Sequence, residues 1–171
     1  YGDQKGLGIG RIEQYTKMFG LDEPTGINMQ GEAKGNIPSP EWKERVFNGD
    51  DWRIGDTYNT SIGQYGFQVT PIEMVRAVAA LANGGTLVTP SITEPLDSET
   101  FAKLSFEEED LQVVREGMRM VVTEGGGQLL NSLPFSVAAK TGTAQVGVQK
   151  RFVNAWMVGF FPYEQPRYSF V

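Results

Sequence analysis

The spacing of apolar residues predicts helices in the first two thirds of the chain. A first helix is expected where residues recur at helical intervals, at Ile9, Ile12, Thr16 and Phe19. Gly20 is predicted to end it, with the apolar Leu21 behind. The stretch from Asp22 to Asp56 is rich in Gly, Pro and Asn, so we predict a loop. Its aromatic residues are expected to pin this loop to the body as packing anchors, at Trp42, Phe47 and Trp52.

A second helix has a strong start signal. Thr70 can cap it, Pro71 suits its first turn, and Glu73 can reach back to complete a capping box. The residues from Met74 to Leu81 are apolar nearly all round, which predicts a buried helix. A pair of glycines then ends the helix, and Thr86 to Val88 is predicted as a short strand.

A third helix is predicted at an acidic stretch. Ser105 and Glu108 have the spacing of a capping box, and the run from Glu107 to Asp110 lies at the positive end of the helix dipole. This position favours a solvated, dipole-complementing role for the carboxylates over a metal site. The predicted buried stripe comprises Leu111, Val114, Met118, Val121 and Val122. Gly125 to Gly127 are expected to break this helix, and Gln128 to Asn131 to form a short one.

The last third of the chain is predicted to be β structure. Three runs have the composition of strands, namely Phe135 to Val148, Phe152 to Phe161 and Arg167 to Val171. There is no internal repeat, linker or low-complexity segment in the sequence. We therefore expect the 171 residues to belong to one domain.

Composition excludes several kinds of chemistry. The net charge of −6, with no Lys/Arg cluster, argues against a nucleic-acid-binding groove. The sequence has no Cys, hence neither a disulfide nor a thiol nucleophile, and no His, the usual general base and metal ligand. Acid–base chemistry must therefore fall to Lys, a carboxylate, Tyr or water. No apolar run approaches the ~18–20 residues of a membrane span.

The run Lys140-Thr141-Gly142-Thr143 is the candidate for chemistry. Its ammonium supplies positive charge, its two hydroxyls can donate to a carboxylate, and Gly142 leaves room for an extended ligand against the backbone. The alternative is a surface strand that carries one Lys and two β-favouring Thr residues. Strict alternation places Lys140 and Thr141 on opposite faces, so both can serve one cleft only where the strand twists or lies at an edge.

Several further stretches carry a family resemblance. They are Gly55 to Gln64, Val69 to Met74, Ala82 to Pro90, Glu116 to Arg119 and Asn154 to Phe160. With the Lys-Thr-Gly run, they resemble the transpeptidase domain of class B penicillin-binding proteins over nearly the whole chain. The stretch from Ile37 to Lys43 most resembles the elongation-type, penicillin-binding protein 2-like enzymes of rod-shaped bacteria. One departure is Gln64-Tyr65-Gly66, where relatives more often have Gln-Gly-Tyr, and it puts the local turn geometry in question.

The resemblance implies a fold and a reaction. The fold is α+β, a partial penicillin-binding protein/β-lactamase-like transpeptidase fold with an antiparallel sheet flanked by helices. The reaction is peptidoglycan D,D-transpeptidation, in which a Ser attacks the D-Ala-D-Ala carbonyl of a stem peptide; β-lactams acylate the same Ser. No metal or other cofactor is implied. The expected location is the periplasmic face of the cytoplasmic membrane, with an anchor outside this chain, and elongation-complex proteins are expected partners.

The resemblance also assigns residue roles. Lys140 and Thr143 are the expected catalytic residues, because Lys140 would charge the proton-transfer network and the Thr143 N–H would be an oxyanion donor. Thr141, Gly142 and Thr143 are the expected substrate-binding residues, with the hydroxyls on the substrate's terminal carboxylate.

Two family motifs are absent from the sequence. No Ser is followed three residues later by Lys; Thr100 and Lys103 have this spacing, in a polar connection that makes Thr100 a poor nucleophile candidate. We expect residues 1–171 to be the C-terminal portion of the domain, with the nucleophile, the Ser-x-Asn motif and a final helix outside the chain. The fragment alone is then expected to be inactive without the missing N-terminal part. The alternative is a non-catalytic β-lactam-sensing or interaction module, and a β-lactamase is a weaker option.

Overall fold

The computed structural model describes residues 6–93, 101–147 and 151–171, without the side chain of Phe101. The helices are α1 (Gly8–Met18), α2 (Pro40–Val46), α3 (Ile54–Ser61), α4 (Pro71–Ala82) and α5 (Glu108–Thr123), with a 3₁₀ helix at Gln128–Ser132. The strands are β1 (Thr86–Val88), β2 (Phe101–Lys103), β3 (Ala138–Val146), β4 (Phe152–Phe161) and β5 (Tyr168–Phe170). This mixture of helices and antiparallel strands confirms the α+β class.

The strands form two separate antiparallel sheets. β1 pairs with β2, and the larger sheet has the order β3-β4-β5. In the larger sheet Lys140 lies opposite Val158, and Thr141 lies opposite Met157. Within the described residues β3 is thus an edge strand, with β4 on one side only.

The larger sheet is packed on both of its faces. Ala138 and Phe160 pack on one face against Val78 and Ala82 of α4. Ala139, the next residue of β3, packs on the other face in a cluster with Val122 of α5. Because consecutive strand residues point to opposite faces, these two alanines hold β3 between α4 and α5. They fix the strand immediately before Lys140.

The structure confirms two helix boundaries that the sequence predicted, the end of α1 and the start of α4. At the end of α1 the Gly20 N–H donates to the Lys17 carbonyl (2.8 Å) and Gly20 has a φ of 73°. This left-handed residue makes the glycine stop that was predicted. At the start of α4 the Glu73 N–H donates to the Thr70 hydroxyl (3.2 Å), and the Thr70 N–H donates to the Glu73 carboxylate (2.6 Å). The capping box is therefore present.

The prediction of a loop from Asp22 to Asp56 was wrong in part. This stretch contains α2 and the first turn of α3. Ser39 caps α2, since its hydroxyl accepts from the Trp42 N–H (3.1 Å), and Pro40 occupies the first turn. The glycine and proline content masked this local start signal. The prediction of packing anchors is confirmed, because Trp42 contacts the rings of Phe47 and Tyr65 and Trp52 contacts that of Tyr65.

The start of α5 was also predicted incorrectly. The helix begins at Glu108 with Glu107 as N-cap and no side-chain cap, so Ser105 forms no capping box. The reason is tertiary: the Leu104 N–H donates to the Gly85 carbonyl (2.7 Å), which holds the chain in an extended path beside β1. The acidic first turn of α5 is confirmed. Val114, predicted as buried, is 45% exposed, whereas Leu111 and Met118 are buried.

Two strand predictions need correction. Residues Phe101–Lys103 form β2 beside β1, where the sequence indicated only a polar connection; Thr100 lies outside the described residues. β3 begins at Ala138 and not at Phe135, because the 3₁₀ helix and a turn occupy the preceding residues. The end predicted for this strand, at Val148, also lies outside the described residues.

Candidate functional site

The Lys-Thr-Gly-Thr run lies in the middle of edge strand β3. After the buried Ala138 and Ala139, the strand emerges: Lys140, Gly142 and Thr143 are exposed and Thr141 is partly exposed. The packed alanines thus support a stretch whose side chains are accessible to a ligand. The sequence could place these residues on a strand, but it could not show which part of the strand is open.

A cleft of about 660 Å³ runs along this strand. All four predicted site residues line it, Lys140, Thr141, Gly142 and Thr143. Strict alternation places Lys140 and Thr141 on opposite faces of the sheet. Both can still line one cleft, because β3 is an edge strand in the described part of the sheet. The lining of the cleft is largely apolar and includes Met74 and Val158.

A second wall of the cleft is built from two segments far apart in sequence. Residues Lys34 and Gly35 and the segment from Phe67 to Thr70 line the cleft there. They are joined by a two-bond bridge in which the N–H groups of Asn36 and Gln68 each donate to the other's carbonyl (2.8 and 2.9 Å). This bridge fixes the backbone beside Lys34.

Glu73 stabilises this wall through hydrogen bonds from the backbone of the wall. Its side chain is fully buried, and one carboxylate oxygen accepts the Gly35 N–H (2.8 Å) while the other accepts the Thr70 N–H (2.6 Å). A buried carboxylate at a helix N-terminus is stabilised by such donors and by the helix dipole. The capping box predicted for α4 therefore has a second function that the sequence did not show, because Gly35 lies 38 residues away.

Gly142 is not required by the packing of the strand. A Cβ at this position would lie 3.5 Å from the Trp156 Cβ, which is ordinary van der Waals contact. Gly159 on β4 differs, because a Cβ there would lie 2.7 Å from the Phe170 ring. The open surface at Gly142 is thus available for something other than the protein's own side chains.

The charged residues in the described lining of the cleft are lysines. Lys34 and Lys140 line it, and no Asp or Glu lines it among the described residues. The Lys140 ammonium donates to the Thr141 carbonyl (2.6 Å). In a chain of net charge −6, a cleft lined by two lysines and by threonine hydroxyls is suited to a carboxylate ligand.

A second lysine cluster lies away from the cleft and is structural. Lys43 is buried, and its ammonium contacts Asp50 (3.0 Å) and Asp56 (2.8 Å). Hydrogen bonds from Arg53 and then Lys43 lower the pKa of Asp50 below its usual range. Burial raises the pKa of Asp56, but the hydrogen bonds from Lys43 and the Arg53 N–H, with the charge of Lys43, together outweigh it, and the pKa is lowered. Since Lys43 is fully paired, it holds α2 against α3 and is no candidate for proton transfer.

The cleft residues alone do not make a complete acyl-transfer site. No Ser lines the cleft in the described part of the chain, and no cluster of three or more metal-ligating side chains occurs there. The arrangement can bind an anion and orient an extended backbone along β3.

No helix in the described ranges is long and apolar enough to span a membrane.

Comparison with known proteins identifies the class. The profile of the family described as "penicillin binding protein transpeptidase domain" matches residues 4–171. The chain therefore belongs to the penicillin-binding protein transpeptidase family. The resemblance drawn from the sequence is confirmed, both for the family fold and for the class B, elongation-type relatives.

Three relatives give the degree of similarity. The peptidoglycan D,D-transpeptidase MrdA of Acinetobacter baumannii is 32% identical over 183 residues, which cover 94% of this chain and 27% of the relative. Penicillin-binding protein PBP2 of Helicobacter pylori, solved in complex with MreC, is 34% identical with a TM-score of 0.84, over 95% of this chain and 31% of that one. Pseudomonas aeruginosa PBP2, solved with WCK 5153, is 30% identical with a TM-score of 0.80, over 95% and 38%. The chain thus spans less than a third of the curated relative.

Proposed function

We propose that this chain is part of a peptidoglycan D,D-transpeptidase that crosslinks stem peptides by serine acyl transfer and is acylated by β-lactams. The observation that carries the proposal is the accessible Lys140–Thr143 run along the lysine-lined cleft. A donor stem peptide ends in a carboxylate, and a β-lactam carries one in a similar place. The names of the relatives support the same reaction.

The residues of β3 take roles that their chemistry allows. Lys140 supplies positive charge to the proton-transfer network and to the donor carboxylate, and the Thr141 and Thr143 hydroxyls donate hydrogen bonds to that carboxylate. The Thr143 N–H is one of the oxyanion donors, a kind of group worth about 3–4 kcal/mol in acyl transfer. Gly142 admits the ligand backbone, which agrees with its exposure and its place in the lining of the cleft.

The nucleophile belongs to a part of the protein outside this chain. We infer that residues 1–171 form the C-terminal portion of one transpeptidase domain. The Ser-x-x-Lys and Ser-x-Asn motifs then come from the N-terminal portion of that domain. The apolar part of the cleft lining, with Phe67, Met74 and Val158, is a suitable packing surface for that portion. It would bring the Ser next to Lys140, and the fragment alone is inactive.

The whole protein works at the extracytoplasmic face of the membrane with proteins of the elongation machinery. This part of the proposal is supported by a relative solved in complex with MreC and by a peptidoglycan synthase complex at 27% identity and a TM-score of 0.80. The alternative, a non-catalytic β-lactam-sensing or interaction module, shares the fold and the cleft. A Ser-x-x-Lys motif upstream in the full-length protein would support the enzyme, and its absence would support the non-catalytic module.

The test is the rate of penicillin acylation of the full-length protein. We expect Lys140→Ala and Thr143→Val each to lower it at least tenfold, or about 1.4 kcal/mol, because each removes a group that contacts the reacting ligand. Gln145→Ala is a matched control, since Gln145 lies on the same strand and does not line the cleft. Acylation rates that stay at the wild-type value in both variants would show that this strand does not line the reacting site.

A further inference from the structure

The turn between two cleft-lining segments has an unusual backbone conformation. Ile62–Gly63 and Phe67–Thr70 line the cleft, and the residues between them, from Gln64 to Gly66, do not. Tyr65, in the middle of this turn, has a φ of 64°. A left-handed conformation is uncommon for a bulky side chain and persists only where the surrounding structure holds it. The residue order of this turn, which differs from the order more common in relatives, therefore places a strained residue beside the cleft.

Three aromatic rings hold the Tyr65 side chain. The Phe47 ring stacks on it, with the ring centroids 5.9 Å apart and the planes 4° apart. The rings of Trp42 and Trp52 meet it edge to face, with centroid distances of 5.7 and 6.0 Å. Aromatic pairs at these distances and angles attract each other beyond the effect of area burial alone. The four residues form an aromatic cluster that joins the turn to α2 and to the connection between α2 and α3.

The turn is also joined to the second wall of the cleft. The Gly66 carbonyl accepts a hydrogen bond from the Asn36 side-chain amide (2.8 Å), and Asn36 carries the backbone bridge of that wall. A Cβ at Gly66 would lie 2.7 Å from the Trp42 ring, so the turn is packed closely against α2. Tyr65 and Gly66 thus connect the aromatic cluster with the lining of the cleft.

We propose that Tyr65 is a positioning residue, whose ring contacts set the positions of Ile62–Gly63 and Phe67–Thr70 in the lining of the cleft. The inference rests on the proposed function, in which the cleft receives the acyl donor or a β-lactam. Tyr65 acts through these two segments and contacts no reacting group. The roles proposed for the β3 residues do not depend on either segment, so Tyr65 controls noncovalent binding of the ligand more than the acylation step.

The experiment separates binding from acylation in the full-length protein. Stopped-flow acylation by nitrocefin, a chromogenic cephalosporin, over a range of concentrations gives the dissociation constant of the noncovalent complex and the rate constant of its acylation. Tyr65→Gly removes the ring and accepts the left-handed backbone, whereas Tyr65→Phe keeps the ring. Phe47→Ala removes the stacked partner and is a second test should Tyr65→Gly fail to fold. Tyr58→Ala is the matched control, because Tyr58 lies on α3, is 66% exposed and does not line the cleft.

We expect Tyr65→Gly to raise the dissociation constant at least fivefold and to leave the acylation rate constant within about twofold of wild type. Phe47→Ala should raise the dissociation constant by a smaller factor, and Tyr65→Phe should stay near the wild-type value. A ring that only stabilised the fold would change the amount of protein that reacts and leave both constants unchanged. Wild-type dissociation constants in Tyr65→Gly and Phe47→Ala, or an equal rise in Tyr58→Ala, would overturn the inference and leave the proposed function intact. A full-length wild-type protein that nitrocefin does not acylate would refute both.

Discussion

Glu73 gives the sharpest test of how the cleft wall is built. Its buried carboxylate accepts two N–H groups, from Gly35 on the wall and from Thr70 at the start of α4. Glu73→Gln keeps the shape, but it removes the charge and places an amide N–H₂ against one of these N–H donors. A hydrogen bond to a charged group contributes about 1.5–3 kcal/mol, and a buried donor without its acceptor adds to the loss. We expect the local structure to weaken by about 2–3 kcal/mol.

Amide hydrogen exchange of the full-length protein measures this effect where it occurs. Since 1.4 kcal/mol is a factor of ten, exchange at Gly35 or Thr70 should accelerate roughly 30- to 150-fold in Glu73→Gln. Glu109→Gln is the matched control, because Glu109 lies in the first turn of α5 but is exposed. A helix-dipole contribution of about 0.3–1 kcal/mol is all that it should lose. Protection at both amides that is unchanged in Glu73→Gln would refute the role of this carboxylate.

Two further predictions concern the sheet and acid stability. Gly142→Ala should leave the thermal unfolding midpoint nearly unchanged while slowing penicillin acylation, because its Cβ fits the fold but fills the ligand face; Gly159→Ala should destabilise the protein, since its Cβ meets Phe170 at 2.7 Å. A Gly142→Ala variant that acylates at the wild-type rate would contradict the ligand approach proposed there. The lowered pKa values of Asp50 and Asp56 mean that both stabilise the fold fully above their usual pKa of about 4, and that this contribution is lost as pH falls through the lowered values. Tryptophan fluorescence between pH 7 and 2 should report this loss, with a flatter profile in Asp50→Asn; identical profiles would contradict it.

The sequence predicted best where the signal was local. Thr70, Pro71 and Glu73 lie within one turn and marked the start of α4 correctly, and Gly20 marked the end of α1. The same kind of signal at Ser39 was missed, because the surrounding glycines and prolines favoured a loop. Leu104 shows the opposite failure: a hydrogen bond to Gly85 overrode the capping pattern at Ser105.

The candidate site was predicted on one wall only. The Lys140–Thr143 run was located from its residue types and its family resemblance. The second wall depends on contacts between residues more than 30 positions apart, such as Gly35 with Glu73 and Asn36 with Gln68. No periodicity or short motif encodes such contacts, so Lys34 could not be placed in the cleft from sequence.

We propose that this chain holds half of an acyl-transfer site. Intact mass spectrometry of the chain and of the full-length protein, each with and without a penicillin, tests it most directly. We predict one covalent adduct on the full-length protein and none on the isolated chain. A penicillin adduct on the isolated chain, or no adduct on the full-length protein, would contradict it.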